Sequence, residues 1–292
     1  MLARTLAFLG IGVAFGLATF GSSACTSRAV VTFEVRAPAG EAADAAALEL
    51  VRKVLRERLR QFEPALDGVQ VNEKGDAVLV SLRAVPDPQQ AAALEARIET
   101  TGAFAILPVV QPDSLEPGAA DQRETMLEWR AVHPKGTAAH YNSTAPELGG
   151  PLPTFRWFVD RQAPERWLCC DVSGLASPGT RFTEADLDPA GIQPGLDTVG
   201  NPCVVVSPLP QRAAQLLTLT TQSVGSQIAL VVDDETVLTA PVIHSPLGGS
   251  FVIESRFTYP ERDALLDVLR AAALHGRLPF KPTVKRATPP AK

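Results

Sequence analysis

The stretch Gln227-Ile228-Ala229-Leu230-Val231-Val232-Asp233-Asp234-Glu235-Thr236-Val237-Leu238-Thr239-Ala240-Pro241-Val242-Ile243 decides the fold class. Two apolar, β-branched runs flank an acidic triplet. Asp is common in turns, so the stretch predicts two strands joined at Asp233-Asp234-Glu235. A turn accounts for the three acids better than a cation site does. Upstream, Val204-Val205-Val206 predicts a strand and Pro210 to Ser223 a helix. Downstream come a loop at Gly248-Gly249, a strand from Phe251 to Phe257, a helix from Tyr259 to Leu274 and a last strand at Leu278-Pro279-Phe280. Gly248-Gly249 precedes a strand rather than a helix, so the helix N-terminus that would complete a phosphate cradle is missing. The second helix opens on a capping box, Thr258-x-x-Glu261, whose two side chains satisfy two free N–H groups reciprocally. Its apolar stripe is Ala264, Leu265, Val268, Leu269 and Ala272, and His275-Gly276 ends it. Residues 181–284 therefore read as one α+β unit.

Toward the N-terminus, residues 29–110 read the same way. Val30, Val31, Phe33 and Val35 predict a strand within Ala29 to Arg36. Glu41 to Phe62 predicts a helix, with Ala43, Ala47, Leu50, Val51, Val54, Leu55, Leu59 and Phe62 at spacings of three and four. Arg52, Lys53, Arg56, Glu57 and Arg60 take its other face, which reads as solvated, with contact to anionic lipid headgroups as the alternative. Gly68 to Val71 and Ala77 to Leu82 predict a hairpin. Asp87-Pro88 starts a helix that runs to Thr101, Gly102 closes it, and Ala103 to Val110 predicts a strand. The pattern is β-α-β-β-α-β, the ferredoxin-like order.

The 292 residues are 46% hydrophobic and 20% charged, enough for one large or two ordinary domains with real cores. The net charge of −5 argues against a nucleic-acid partner, which would need a basic face. The 25 prolines concentrate between Pro108 and Pro210, so residues 111–180 are expected to be a Pro/Gly-rich, loop-rich insertion. Trp129, Trp157 and Trp167 lie there, so part of it packs, and Phe155 to Val159 with Arg166 to Asp171 predicts a hairpin. Residues 285–292, with Pro289-Pro290, are expected to be a disordered tail.

Residues 1–25 read as a targeting segment. Arg4 precedes an uncharged apolar run from Leu6 to Phe20, then Gly21-Ser22-Ser23-Ala24 and Cys25. Small residues at Ser22 and Ala24 suit signal-peptide cleavage; Cys25 after a small residue suits lipoprotein processing with Cys25 acylated; an uncleaved anchor is the third reading. Each makes the remainder membrane-tethered or secreted, outside the cytoplasm. There disulfides persist, and a bridge from Cys203 to Cys169 or Cys170 is expected. No spacing of Cys and His suggests a metal site, no base accompanies a nucleophilic cysteine, and no motif calls for a cofactor.

Taken together, these segments resemble the large periplasmic domain of the protein-export subunit SecD, in the SecDF family. The shared features are Thr101-Gly102-Ala103-Phe104; Asp186-Leu187 through Gln193-Pro194-Gly195 to Val204-Val205-Val206; and Leu219-Thr220 through Val224-Gly225. The densest match is Ile228 to Asp233, Ala240-Pro241-Val242-Ile243, Gly248-Gly249, Ile253 and Phe257, closing on Gly276-Arg277-Leu278-Pro279. Ser255 stands where the family carries Gly. The resemblance implies two ferredoxin-like units, a base subdomain (29–110) and a head subdomain (181–284). It implies a non-enzymatic module that binds unfolded or translocating polypeptide through Ala240, Pro241, Val242, Ile243, Gly248 and Gly249, with Sec translocase components as partners. The family continues into membrane helices that couple proton flow to export. This sequence reads as the periplasmic module alone, dependent on a partner for any energised step. A cell-envelope enzyme built on 111–180 is the alternative. Glu116, Asp121, Glu124, Glu128, His133 and His140 are available to it, but no spacing pairs them.

Overall fold

In the computed structural model, the structure describes residues 31–39, 43–62, 64–72, 74–110, 119–144, 154–173, 181–233 and 235–286. Cys25 and the targeting segment lie outside them. No helix among the described residues is long and apolar enough to cross a membrane.

The first sheet is built by β1 (Val31–Arg36), β2 (Leu66–Val71), β3 (Val78–Leu82) and a late strand. Alternation sets its faces: Val31, Phe33 and Val35 of β1 and Val78, Val80 and Leu82 of β3 point inward. Helix α1 (Ala45–Arg58) covers that face with Leu48, Val51, Val54 and Leu55, and Leu59 follows them into the same core. Asp44 caps α1, its carboxylate accepting from the Ala47 N–H at 2.7 Å. Helix α2 (Pro88–Glu99) adds Leu94 and Ile98. Its start is a capping box of Asp87 with Gln90, and Pro88 occupies the first turn.

Sheet membership departs from the expected ferredoxin-like unit. In a self-contained β-α-β-β-α-β unit the fourth strand lies beside the first. Here β4 (Phe104–Pro108) leaves the sheet, and the place beside β1 goes to the last strand, β13 (Thr283–Arg286), giving the order β13-β1-β3-β2. The reason is burial: four of the five β4 residues are buried, so the strand needs cover on both faces. β13 has none buried and suits an edge. Lys285 and Arg286, expected in a disordered tail, pair with Glu34 and Phe33. Leu278 to Phe280 is not a strand; Leu278 packs into the first core instead.

β4 enters a six-stranded sheet of order β6-β5-β11-β10-β4-β7. Its members are β5 (Phe155–Asp160), β6 (Ala163–Asp171), β7 (Phe182–Thr183), β10 (Ile228–Val232) and β11 (Thr236–Thr239). The expected pairing of 228–232 with 236–239 holds, with Asp233 and Glu235 in the connection between them. A third sheet, β12-β9-β8, joins β8 (Gln193–Leu196), β9 (Pro202–Val206) and β12 (Phe251–Ile253). The strands of 181–284 are thus divided between sheets, and this half is not a ferredoxin-like sheet either.

The segment expected to be loop-rich carries α3 (Ala119–Val132), α4 (Ala138–Thr144) and the β5–β6 hairpin. Its tryptophans make one cluster with Met126, Ala138 and Tyr141. Arg130 stacks over the Trp167 ring at 4.5 Å.

Helix α5 (Ala213–Gln222) and helix α6 (Tyr259–His275) complete the fold. The Thr258–Glu261 capping box forms as expected. α6 serves two cores: Ala271 packs with the first sheet, Leu266 and Leu269 with the second and third. Arg97 of α2 reaches Asp267 of α6 at 3.0 Å. Beside them, Arg58 is fully buried and donates to the carbonyls of Arg97, Thr100 and Thr101. Gly102 has φ +86°, and a Cβ there would stand 2.6 Å from the Arg58 guanidinium and 3.1 Å from Ala272 Cβ. This close approach, not a helix C-cap, is what glycine serves, since α2 ends earlier, on Thr100.

Candidate functional site

Ala240, Pro241, Val242, Ile243, Gly248 and Gly249 are the residues the sequence singles out, and the structure ties several of them to the body of the protein. Ala240 and Pro241 follow β11; the Ala240 carbonyl accepts from Gln227 Nε2 at 3.0 Å and the Pro241 carbonyl from the Ile228 N–H at 3.1 Å. The Ile243 carbonyl accepts from the Gly225 N–H at 2.8 Å, and the Ile243 N–H donates to the Ser226 carbonyl at 2.9 Å. Gly225 is left-handed, φ +81°, as that crossing requires. Further along, the Leu247 N–H donates to Thr220 Oγ1 at 2.8 Å, and Leu247 packs on the second core. Gly248 lies against Leu217.

This anchoring sorts the predicted residues. Pro241, Val242, Gly248 and Gly249 are exposed, Ala240 is half-buried, and Ile243 is buried at 5% exposure. Sequence reasoning missed Leu217 on α5, 44% exposed, and Val224, 48% exposed, which flank the predicted Val242, itself 42% exposed; Val252 on β12 is a further large apolar side chain left in water, at 46%. Val224 pairs with Ile243 and Gln227 with Val242 in isolated bridges, so α5's far end and the 240–243 segment form one surface. β12 and β8 are the edges of the three-stranded sheet, and an extended chain can add to such an edge.

A sequence signal for these residues exists. There is no Asp, Glu, Lys or Arg from 213 to 232, nor from 236 to 253, in a chain that is 20% charged. Scattered exposed apolar residues need no explanation. A surface that combines them with an absence of charge is of the kind that partners cover.

The other sequence candidates fall elsewhere. The bridge expected from Cys203 to Cys169 or Cys170 is not formed, and all three are free thiols. Cys203 sits on β9 of the three-stranded sheet, Cys169 and Cys170 on β6 of the six-stranded one, so the fold holds them apart. Burial pushes the Cys169 thiol up to about 12 and raises Cys170 further, which keeps both in the un-nucleophilic thiol form. Burial also raises Cys203. Asp233 turns between β10 and β11, as expected, at φ +58°. Its carboxylate points to the junction with α2 and accepts from the Thr101 hydroxyl at 2.8 Å and the Gly102 N–H at 3.1 Å. A hollow of about 310 Å³ lies between α3 and the β5–β6 hairpin. Among the described residues Glu165 is the one carboxylate lining it; Glu124, Glu128, His133 and His140 do not. Glu116 lies outside the described residues, as does the side chain of Asp121.

An α+β protein of three sheets, with a charge-free apolar surface on its second half, is the class these features define. Residues 181–276 match the family described as SecDF, P1 head subdomain. The protein translocase subunit SecD of Dictyoglomus turgidum is 40% identical over 79 residues, 27% of this chain and 20% of that protein. The matched stretch is therefore about a fifth of the relative's length. Two solved structures share the fold. One, SecDF in a super-membrane-facing form, aligns over 89% of this chain and 30% of its own at a TM-score of 0.56 and 21% identity. The other, of the membrane component SecDF that enhances protein export, aligns over 89% of this chain and 100% of its own at 0.55 and 21%. Residues 181–276 are thus similar to the SecDF P1 head subdomain, and the chain shares its fold with these two SecDF structures.

Proposed function

We propose that this protein acts in protein export as a non-enzymatic module that binds unfolded or translocating polypeptide on the surface formed by Leu217, Val224, Ala240, Pro241, Val242, Gly248, Gly249 and Val252. The observation that carries this reading is the coincidence of the uncharged, apolar exposed surface with the head-subdomain match. Each half-exposed aliphatic side chain contributes about 1 kcal/mol when covered. Four give about 4 kcal/mol, a millimolar contribution on its own. Backbone hydrogen bonds to the edge of β12 add about 0.5–1.5 kcal/mol each, against the cost of ordering a free chain. The outcome is weak, transient capture, which suits a client in transit.

The setting follows from the same reading. The N-terminal segment, with Cys25 as the candidate acyl site, tethers the module to the membrane on its periplasmic side. Sec translocase components are its partners. The test is titration of the full chain with an unfolded exported protein. Saturable binding that changes little between low and high salt is expected, because apolar contacts are screened little by ions. Leu217→Asp with Val242→Asp should weaken it at least about tenfold, the order of two lost apolar contacts plus desolvation of two charges. Both positions are exposed, so the unfolding midpoint should hold. Deleting 245–250 is the poorer test, since Leu247 is part of the core's edge. Undiminished binding by the double variant would refute the assignment.

A further inference from the structure

A second cavity, of about 320 Å³, lies at the seam between the two halves, away from the charge-free surface. Ala96 of α2 and Thr100, its C-cap, form one wall, and Ala264, Leu265, Val268 and Leu269 of α6 another. Val232 and Leu238 of the six-stranded sheet form the floor. The charged groups in its lining are Asp233, Glu261 and Arg161.

Their commitments differ. Arg161 donates to Glu261 at 2.5 Å and lies over the Phe257 ring at 4.9 Å. Glu261 also accepts from the Thr258 N–H and hydroxyl, both at 2.8 Å. That pair is satisfied. Asp233 is not: both donors that reach it, the Thr101 hydroxyl and the Gly102 N–H, go to the same oxygen, Oδ1. The nearest cations are occupied, Arg58 with three backbone carbonyls and Lys281 with Glu235 at 3.0 Å. Among the described residues, this part-buried carboxylate of the cavity's lining has one oxygen without a hydrogen bond, and Arg58 and Lys281 act on it only at a distance, so a further donor and charge in contact would stabilise it. Two carboxylates against one guanidinium also make the cavity repel anions.

We propose that this seam cavity binds an alkylammonium ion, a primary amine on an unbranched apolar body, with the ammonium on Asp233 and the body against Val232, Leu238, Leu265 and Val268. The ammonium brings three donors and a positive charge in direct contact with Asp233, and the aliphatic walls exclude water from the chain. A ligand seated there touches α2 and α6 at once, so it joins the two halves of the protein. The inference stands apart from polypeptide capture, since no residue is shared.

The experiment is a titration of the full chain, methyl-labelled at Leu and Val, with n-hexylammonium, 1-hexanol and hexanoate. Saturable shifts of the Leu238, Leu265 and Val268 methyls by hexylammonium are expected, with hexanol about tenfold weaker, the order of one charge-assisted hydrogen bond, and no response to hexanoate. Asp233→Asn keeps the oxygen that accepts from Thr101 and Gly102. It should weaken hexylammonium about tenfold and leave hexanol unchanged. Leu265→Trp, which fills the cavity, should abolish both. Equal binding of amine and alcohol, an unchanged amine affinity in Asp233→Asn, or no shift at these methyls would overturn the proposal.

Discussion

Helices α1 and α5 each bury one face and expose another, and the exposed faces have opposite chemistry. On α1 it carries Arg52, Lys53, Arg56, Glu57 and Arg60, several joined within the helix, Arg52 to Glu49 at 2.6 Å and Arg60 to Glu57 at 3.4 Å. Such a face is content in water. On α5 it is Ala214, Leu217, Thr218, Thr221 and Gln222, without a charge. Both helices bury enough to fold, so stability does not explain the difference. On the proposed reading, α5 and the 240–249 segment beside it are the surface that meets another molecule, while the α1 side is scaffold.

The comparison breaks most sharply at glycines. Gly102 in the scaffold has a left-handed backbone and would press a Cβ onto Arg58 and Ala272. Gly249 on the surface has nothing within 4 Å. Gly102→Val should cost roughly 3 kcal/mol or more, and Gly249→Val should stay within about 0.5 kcal/mol. Urea unfolding of the two variants separates them; similar losses would mean that the 240–249 segment is scaffold too.

A smaller effect sharpens the seam between them. Burial raises the Asp233 carboxyl above its ordinary value, against the opposing hydrogen bonds from Thr101 and Gly102. The folded state therefore holds this proton to higher pH than the unfolded chain does. Its charge weakens the fold above the folded value, and that cost fades as the pH falls toward the unfolded value near 4. Thermal unfolding from about pH 7 down to about pH 4 should show wild type gaining stability relative to Asp233→Asn. A constant gap would mean that Asp233 is not shifted.

Much of the scaffold was legible because its signals are local. Asp87-Pro88 and Thr258-x-x-Glu261 cap the helices they predict, and 228–232 pairs with 236–239 around its acidic turn. Sheet membership was not legible, because pairing is a long-range choice. Nothing within Phe104 to Pro108 says that it abandons β1, or that Thr283 to Arg286 replaces it 175 residues and more later in the numbering. Arg58 could have been found: it lies four residues before Phe62 and three after Leu55, on α1's apolar stripe, where a cation must be buried. The helices between 119 and 144 hid behind proline-rich flanks. The surface was half legible. Ala240 to Ile243 and the two glycines came from resemblance, but Leu217 and Val224 needed the uncharged run to be noticed.

The most direct test of the central claim places a photo-crosslinking amino acid at position 242 and, separately, at position 53, in cells exporting a labelled client. Position 242 is on the charge-free surface and position 53 on the charged face of α1. The account predicts client adducts from 242 while export is under way and none from 53. Adducts from 53 alone, or equally from both, would contradict it.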